Sequence, residues 1–207
     1  MPVRIAQILG GILLGLVATA LWFSIAGVPS TTVPPADLDI VGGVVPQPFE
    51  VPVLRGIDPQ GDSISTEAWR GRTTAVFFGY TSCPDVCPIT LARVGRYRAE
   101  LPAEIRDDFA VLFVSLDPTR DTPERLGQYV GALPGGVEGM TAADIRTQAQ
   151  RWGVRAEDGA EMAGGGDLVD HTARTFILNP EGEVAATLPP MPGSDVITPL
   201  LDELLGR

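Results

Sequence analysis

Two short apolar segments, with a helical pattern between them, limit the fold of this chain more than any other feature. Residues 74–80 and 110–116 are continuous apolar runs rich in valine and phenylalanine, which is typical of strands covered on both faces. The segment between them has a proline suited to a first helical turn and apolar residues at helical spacing. These residues are Pro88, Leu91, Val94, Tyr97 and Leu101. A strand, a helix and a second strand are therefore predicted in this order.

The same alternation continues towards the C-terminus. Residues 174–178 predict a third strand, and the turn sequence at 179–182 leads into a fourth strand at 183–187. This pattern indicates an α/β domain with a mostly parallel central sheet flanked by helices.

Capping residues predict three further helices. Each has a side chain that can accept a hydrogen bond from an N-H group of the first turn. The candidates are Thr122 with Pro123 at the first helical position, Thr141 with Asp144 before a helix at 142–152, and Ser194 or Asp195 before the last helix.

The N-terminal segment predicts a membrane anchor. Residues 5–28 carry no charge, and as a helix they would span about 36 Å, enough to cross a bilayer. Arg4 favours the N-terminus inside, so the rest would face the periplasm from a bacterial inner membrane. A cleaved signal peptide, with a site near 18–20, and a buried core helix are the alternatives. We predict an anchor at 1–28, a proline-containing tether at 29–41 and one domain at 42–207.

The charge balance narrows the choice of partners. The chain has 15 basic and 26 acidic side chains, a net charge of −11. Nucleic acids and anionic membrane surfaces are therefore unsuitable partners. An acidic surface suits a basic partner or a metal cation, and it also serves solubility.

The only two cysteines and the only histidine of the chain are the candidate site residues. Cys83 and Cys87 follow the first predicted strand and open a helix, whose N-terminal N-H groups stabilise a thiolate. Together with His171 they form a soft donor set that suits Cu(I). Zinc would need a further carboxylate or water ligand. A Cys83–Cys87 disulfide, structural or reversible, is the other interpretation of the pair.

Three sequence blocks resemble the Sco/SenC proteins, the copper chaperones of cytochrome c oxidase assembly. They lie at 77–88 (FFGYTSCPDVCP), 114–123 (VSLDPTRDTP) and 170–172 (DHT), and the similarity extends over about residues 49–205. The resemblance implies a thioredoxin-like fold, a single membrane anchor and copper bound by Cys83, Cys87 and His171. This chain differs at Ser82, where the family often has histidine, and at Leu116, where valine is more usual.

Other residues near these blocks have two interpretations each. Met162 is either a transient soft ligand or an ordinary apolar side chain, and the glycine-rich run 163–167 is either a hinge for His171 or a surface loop. A third group consists of Asp117, Asp121 and Arg120. These residues either form a surface ion pair and cap a helix or support the metal ligands without touching the metal.

Two functions fit the sequence. The first is a membrane-anchored copper chaperone that binds Cu(I) or Cu(II) and delivers copper to a cytochrome c oxidase subunit, after loading by an upstream copper donor. The second is a thiol-disulfide oxidoreductase, itself served by a thiol reductase, that reduces the cysteines of the oxidase copper site before metal insertion. The second function needs Cys83 and Cys87 but not His171, so the sequence leaves open whether the protein is an enzyme.

Overall fold

The computed structural model describes residues 42–161 and 167–207. Ten strands occur in this part of the chain: β1 (Gly43–Glu50), β2 (Arg55–Ile57), β3 (Ser63–Ser65), β4 (Thr73–Gly79), β5 (Phe109–Ser115), β6 (Glu138–Met140), β7 (Ala156–Glu161), β8 (Asp167–His171), β9 (Thr175–Leu178) and β10 (Glu183–Leu188). The α-helices are α1 (Val86–Glu100), α2 (Ala103–Arg106), α3 (Pro123–Gly131), α4 (Ile145–Gln150) and α5 (Ser194–Leu204), and Thr66–Trp69 forms a 3-10 helix.

Six of the strands form the central sheet, in the order β1-β10-β9-β4-β5-β6. Strands β4, β5 and β6 are parallel, whereas β9, β10 and β1 join through antiparallel pairs. The prediction of a mostly parallel sheet is therefore wrong, because the sheet is mixed. For β9 and β10 the physical reason is the tight turn at 179–182, in which Asn179 accepts a hydrogen bond from the Glu183 N-H at 2.8 Å. Such a turn can join only antiparallel strands.

One edge of this sheet collects the strand ends that surround the cysteines. In the register, Gly79 of β4 lies beside Ser115 of β5, Thr175 of β9 lies opposite Leu188 of β10, and Gly43 begins β1 beside β10. We call this edge the thiol edge, because the segment with Cys83 and Cys87 follows β4 there. Ligands of open α/β sheets bind at such carboxyl ends.

The sheet is buried on both faces. Val76 and Phe78 of β4 pack into one apolar cluster, and Ala75 and Phe77 pack into the other. Alternate side chains of a strand point to opposite faces, so a strand covered twice must be apolar throughout. This confirms the strands predicted from the runs at 74–80 and 110–116.

The predicted helices are confirmed in two places and corrected in two. Helix α1 buries Leu91, Val94 and Tyr97 as expected, and the Thr122 hydroxyl caps α3 by accepting a hydrogen bond from the Arg125 N-H at 3.3 Å. The helix predicted at 142–152 is wrong in extent, because α4 covers only Ile145–Gln150.

Neither Thr141 nor Ser194 occupies the predicted capping position. The Thr141 hydroxyl donates a hydrogen bond to the Ser115 carbonyl oxygen of β5 at 3.2 Å, so it points to that strand and not to the N-H groups of α4. Residue Asp144 precedes α4, but its carboxylate accepts from the Gln148 side chain and not from a backbone N-H. The last helix begins at Ser194, and its cap is Gly193 instead of the predicted Ser194 or Asp195.

The hairpin formed by β7 and β8 is an element that the sequence pattern did not predict. Its antiparallel register places Ala156 opposite His171. Residues 162–166 lie outside the described part of the chain. They include Met162 and all but the last residue of the predicted hinge at 163–167. Asp167, the last residue of that run, begins β8.

The predicted anchor and tether also lie outside the described residues, and the domain boundary at residue 42 stays a prediction. Within 42–161 and 167–207 no helix is both long enough and apolar enough to span a bilayer.

Candidate metal centre

The two cysteines converge at the start of α1. Cys87 is the second residue of that helix and is fully buried, whereas Cys83 lies half-buried in the loop before it, and both are present as thiols. The Cys87 N-H donates to the Cys83 sulfur at a distance of 3.4 Å. The N-H groups of a first helical turn have no partner within the helix, so Cys83 Sγ occupies the position where a thiolate is stabilised. This confirms the helix-terminal location predicted for Cys83.

A glycine in β4 makes room for the inner sulfur. A Cβ atom on Gly79 would lie 2.8 Å from Cys87 Sγ and 3.0 Å from ring atoms of Phe113 and Phe77. All three neighbours are buried. The absence of a side chain at residue 79 therefore allows Cys87 to sit directly over the end of β4.

Replacing Gly79 with alanine should displace Cys87. The new methyl group overlaps a sulfur and two aromatic rings in a packed interior, and overpacking of this kind costs about 1–3 kcal/mol. We expect the free energy of unfolding, measured in urea, to fall by that amount. Gly131→Ala is a suitable control, because a Cβ atom on Gly131 would have no neighbour within 4 Å. An unchanged free energy of unfolding for Gly79→Ala would contradict the close packing of Cys87 against β4.

The environment of Cys87 keeps its thiol neutral. The hydrogen bond with Cys83 contributes most to raising its pKa, followed by burial and by the charge of Cys83. The pKa of Cys87 therefore lies far above the ordinary thiol value. A metal ion that binds this sulfur must displace its proton.

Asp121 ties the loop before Cys83 to the rest of the fold. This carboxylate is fully buried and accepts hydrogen bonds from the Thr81 N-H at 2.8 Å, the Thr81 hydroxyl at 2.5 Å and the Ser115 hydroxyl at 2.5 Å. Arg125 of α3 adds bonds from the other side, to the Thr81 hydroxyl at 2.7 Å and to the Ser82 hydroxyl at 2.8 Å. The residue just before Cys83 is thus held by α3.

Asp117 has a separate role from Asp121. It is also buried, but it pairs with Arg120 and accepts a hydrogen bond from the Thr119 hydroxyl at 2.9 Å. These contacts stabilise the turn between β5 and α3. Of the two interpretations of this acidic pair, support of the cysteine loop applies to Asp121 and the local ion pair to Asp117.

Tyr80 connects the cysteine loop to the hairpin that carries His171. It is buried, and its side chain forms hydrogen bonds with the backbone of Val169 and with the side chain of Cys83. Burial raises the pKa of Tyr80 most, and the charge of Cys83 raises it further. Val169 lies in the core two residues before His171. The strand of His171 is therefore attached at the thiol edge.

The third predicted ligand is placed by its backbone alone. His171 ends β8, and its side chain lies outside what the structure describes. Among the side chains that are described, no three from histidine, cysteine, aspartate and glutamate form a cluster that could hold a metal ion. The structure brings Cys83 and Cys87 together, and the role of His171 stays a prediction.

Sequence comparison decides the family. The model of the SCO1/SenC family matches residues 48–206. The chain belongs to the SCO1/SenC family. A Stutzerimonas stutzeri protein named for copper binding is 31% identical over 143 residues, which are 68% of this chain and 70% of that protein. The chain spans less than half of the yeast mitochondrial proteins SCO2 and SCO1, which it also matches.

Solved Sco structures have the same fold. Apo Sco1 from Thermus thermophilus is 31% identical, with a TM-score of 0.64 over 80% of this chain and 93% of that one. Copper-bound ScoI from Bradyrhizobium japonicum is 27% identical, with a TM-score of 0.59 over 78% and 98%. The thioredoxin domain of a thiol-disulfide oxidoreductase from Bacteroides vulgatus, at 17% identity and a TM-score of 0.53 over 77% and 99%, shares the fold alone. The predicted thioredoxin-like α/β fold is confirmed.

Proposed function

We propose that this protein is a membrane-anchored copper chaperone that delivers copper to cytochrome c oxidase. The observation that carries the proposal is the pairing of a half-buried Cys83 with a fully buried Cys87 across one turn at the start of α1. Two sulfur donors from the start of α1 and the loop before it, with an imidazole from β8, suit Cu(I). The copper bound in relatives of this chain supports the same cargo.

The burial of the two thiols suggests how the cargo moves. Cys87 would be the retained ligand and Cys83 the one that a partner can reach. Loss of His171 would leave copper on two sulfurs, from which the thiolates of the partner could take it. The copper remains Cu(I), so no electron is transferred.

The predicted span at 5–28 would place the domain on the periplasmic side of a bacterial inner membrane. The oxidase subunit that receives copper would then be reached in the same compartment. A net charge of −11 favours a partner whose contact surface is not acidic.

Thiol-disulfide exchange is the second candidate function, and the unequal exposure of the cysteines favours it too. The Cys83 thiolate would attack a disulfide of the partner, forming a mixed disulfide and releasing one partner thiolate. Cys87, after losing its proton, would then attack Cys83 Sγ and release the second partner thiolate. The partner gains two electrons and this chain gains a Cys83–Cys87 disulfide.

Copper affinity separates these functions. The full-length chain in detergent, reduced and kept anaerobic, is titrated with Cu(I) against a competing chelator, alongside Cys83→Ser and His171→Ala. We expect Cys83→Ser to weaken Cu(I) binding the most, since one thiolate and the imidazole would remain, and His171→Ala to weaken it by about 100-fold, the upper range for losing a residue that only supports the ligands.

Two results would change the proposal. If His171→Ala binds Cu(I) as tightly as the unmodified chain, the three-ligand site is wrong. If the unmodified chain binds no copper but reduces the disulfide of the oxidase domain, the oxidoreductase function replaces the chaperone function.

A further inference from the structure

The exposed large hydrophobic side chains in the described part of the chain lie at the thiol edge. Val44 is the second residue of β1, Ile89 is two residues beyond Cys87, and Met191 is in the loop after β10. Each is 37–42% exposed. The first residue of β1, the start of α1 and the end of β10 all belong to this edge. Scattered apolar residues on a surface need no explanation, but a group at one functional edge indicates a contact surface.

The backbone of Met191 is held in an uncommon conformation. Its φ angle is +49°. Among the described residues other than glycine, no other φ angle is positive. The left-handed region costs roughly 1–2 kcal/mol for a residue with a side chain. Glycine would avoid this cost, so the position retains a side chain despite the strain. Strain of this kind persists where surrounding contacts enforce it and often marks a functional position.

Three hydrogen bonds enforce the conformation of Met191. Its N-H donates to the hydroxyl of Thr90 at 3.0 Å, and Arg93 donates to the carbonyl oxygens of Met191 and Pro192, at 2.5 and 3.2 Å. Thr90 and Cys87 are three residues apart in α1, so they share a face of the helix at a Cβ separation of about 5–6 Å. The loop of Met191 is therefore fastened beside the buried thiol.

Cys83 is the sulfur of the pair that another protein can reach. Cys87 is fully buried and Cys83 is half-buried, so a protein that exchanges copper with the pair must contact Cys83. Ile89 is exposed in the first turn of α1, and the loop of Met191 is bonded to Thr90 of the same helix. Methionine suits such a position, because its flexible thioether adapts to different contact surfaces.

We infer that Ile89 and Met191 form the contact surface on which a copper-exchanging protein docks beside Cys83. The inference rests on the proposed chaperone function. The partner it fits has its own sulfur ligands for Cu(I) and apolar side chains around them. During transfer the bond from copper to Cys83 Sγ breaks as a bond to a partner sulfur forms, and copper stays in the +1 state. Val44 extends the surface towards β1, at the far side of the edge.

The rate of copper transfer to a protein depends on docking, whereas the rate of transfer to a small chelator does not. Comparing the two rates therefore separates docking from metal binding. The full-length chain is loaded with Cu(I) and mixed either with the copper-binding domain of the oxidase subunit or with a small Cu(I) chelator. The variants are Ile89→Asp and Met191→Gln. We expect both to slow transfer to the protein domain about tenfold, the effect of losing an interface residue worth 1.4 kcal/mol. Transfer to the chelator should change by less than twofold.

The control places the same charge elsewhere. Ala103 is exposed at the first position of α2, which precedes β5 and so lies at the opposite edge of the sheet. Ala103→Asp should leave both transfer rates unchanged, and thermal unfolding checks that every variant is folded. Equal rates for Ile89→Asp, Met191→Gln and the unmodified chain with the protein domain would overturn the docking surface. Failure of the unmodified chain to bind copper at all would instead overturn the proposed function, and the inference with it.

Discussion

Replacing Asp121 with alanine is expected to lower the free energy of unfolding by about 3 kcal/mol, because buried donors would lose their acceptor. The Ser115 hydroxyl is fully buried, and the Thr81 N-H and hydroxyl face the same carboxylate. Each donor left without an acceptor costs about 1–3 kcal/mol. The half-exposed Arg125 adds little, because water screens its pairing with Asp121. Urea unfolding of the metal-free chain measures the loss.

The same substitution should weaken Cu(I) binding under conditions where the variant is still folded. Thr81 lies two residues before Cys83, so its release would let the outer sulfur move away from the inner one. Asp117→Ala is the matched control, since it removes another buried carboxylate from the same turn, one that binds Thr119 and Arg120. We expect Asp117→Ala to reduce stability and leave copper affinity unchanged. An Asp121→Ala variant with unaltered copper affinity would show that the cysteine loop keeps its shape without this carboxylate.

The parts of the fold that could be predicted are those where burial alone dictates the residue type. Strands β4 and β5 are covered on both faces, so their sequences are continuous apolar runs. The β7–β8 hairpin could not be predicted, because β7 has the sequence AEDGAE, which has neither an apolar run nor an apolar alternation. Its attachment depends on Val169 and on the contact of Tyr80 with it, and both are long-range. The mixed sheet was missed because apolar runs contain no information on strand direction.

Some residues of the candidate site could likewise be identified from the sequence, and others could not. Cys83 and Cys87 could be identified because thiols are rare and their spacing around a helix start is specific. Arg125 could not, although it is four residues after Asp121, because its bond to Ser82 exists only once α3 packs beside the cysteine loop. Gly79 gave no signal either, since only the folded structure shows Cys87 Sγ above it. Asp121 could be proposed from the sequence as a supporting residue, whereas Arg125 and Gly79 could be recognised only in the folded structure.

The affinity for Cu(I) should rise steeply with pH because of Cys87. Its raised pKa keeps this sulfur protonated throughout the neutral range, so each Cu(I) bound there releases one proton. The affinity is then expected to increase about tenfold per pH unit from this proton alone, or about 100-fold between pH 6 and pH 8. The contribution of Cys87 to the stability of the metal-free fold should stay constant over this interval. A raised thiol pKa stabilises the folded state fully below the unfolded value of about 8.5, and that contribution is lost only at higher pH.

Cys87→Ser tests how much the proton of Cys87 contributes to the pH dependence of copper affinity. The variant keeps Cys83 and His171, so any protons that they release remain, while the proton of Cys87 is absent. We expect the slope of the logarithm of affinity against pH to fall by about one relative to the unmodified chain. Competition titrations with a chelator of known pH dependence, at four or more pH values, measure both slopes. Equal slopes would mean that Cys87 is already a thiolate before copper binds, which would contradict its raised pKa.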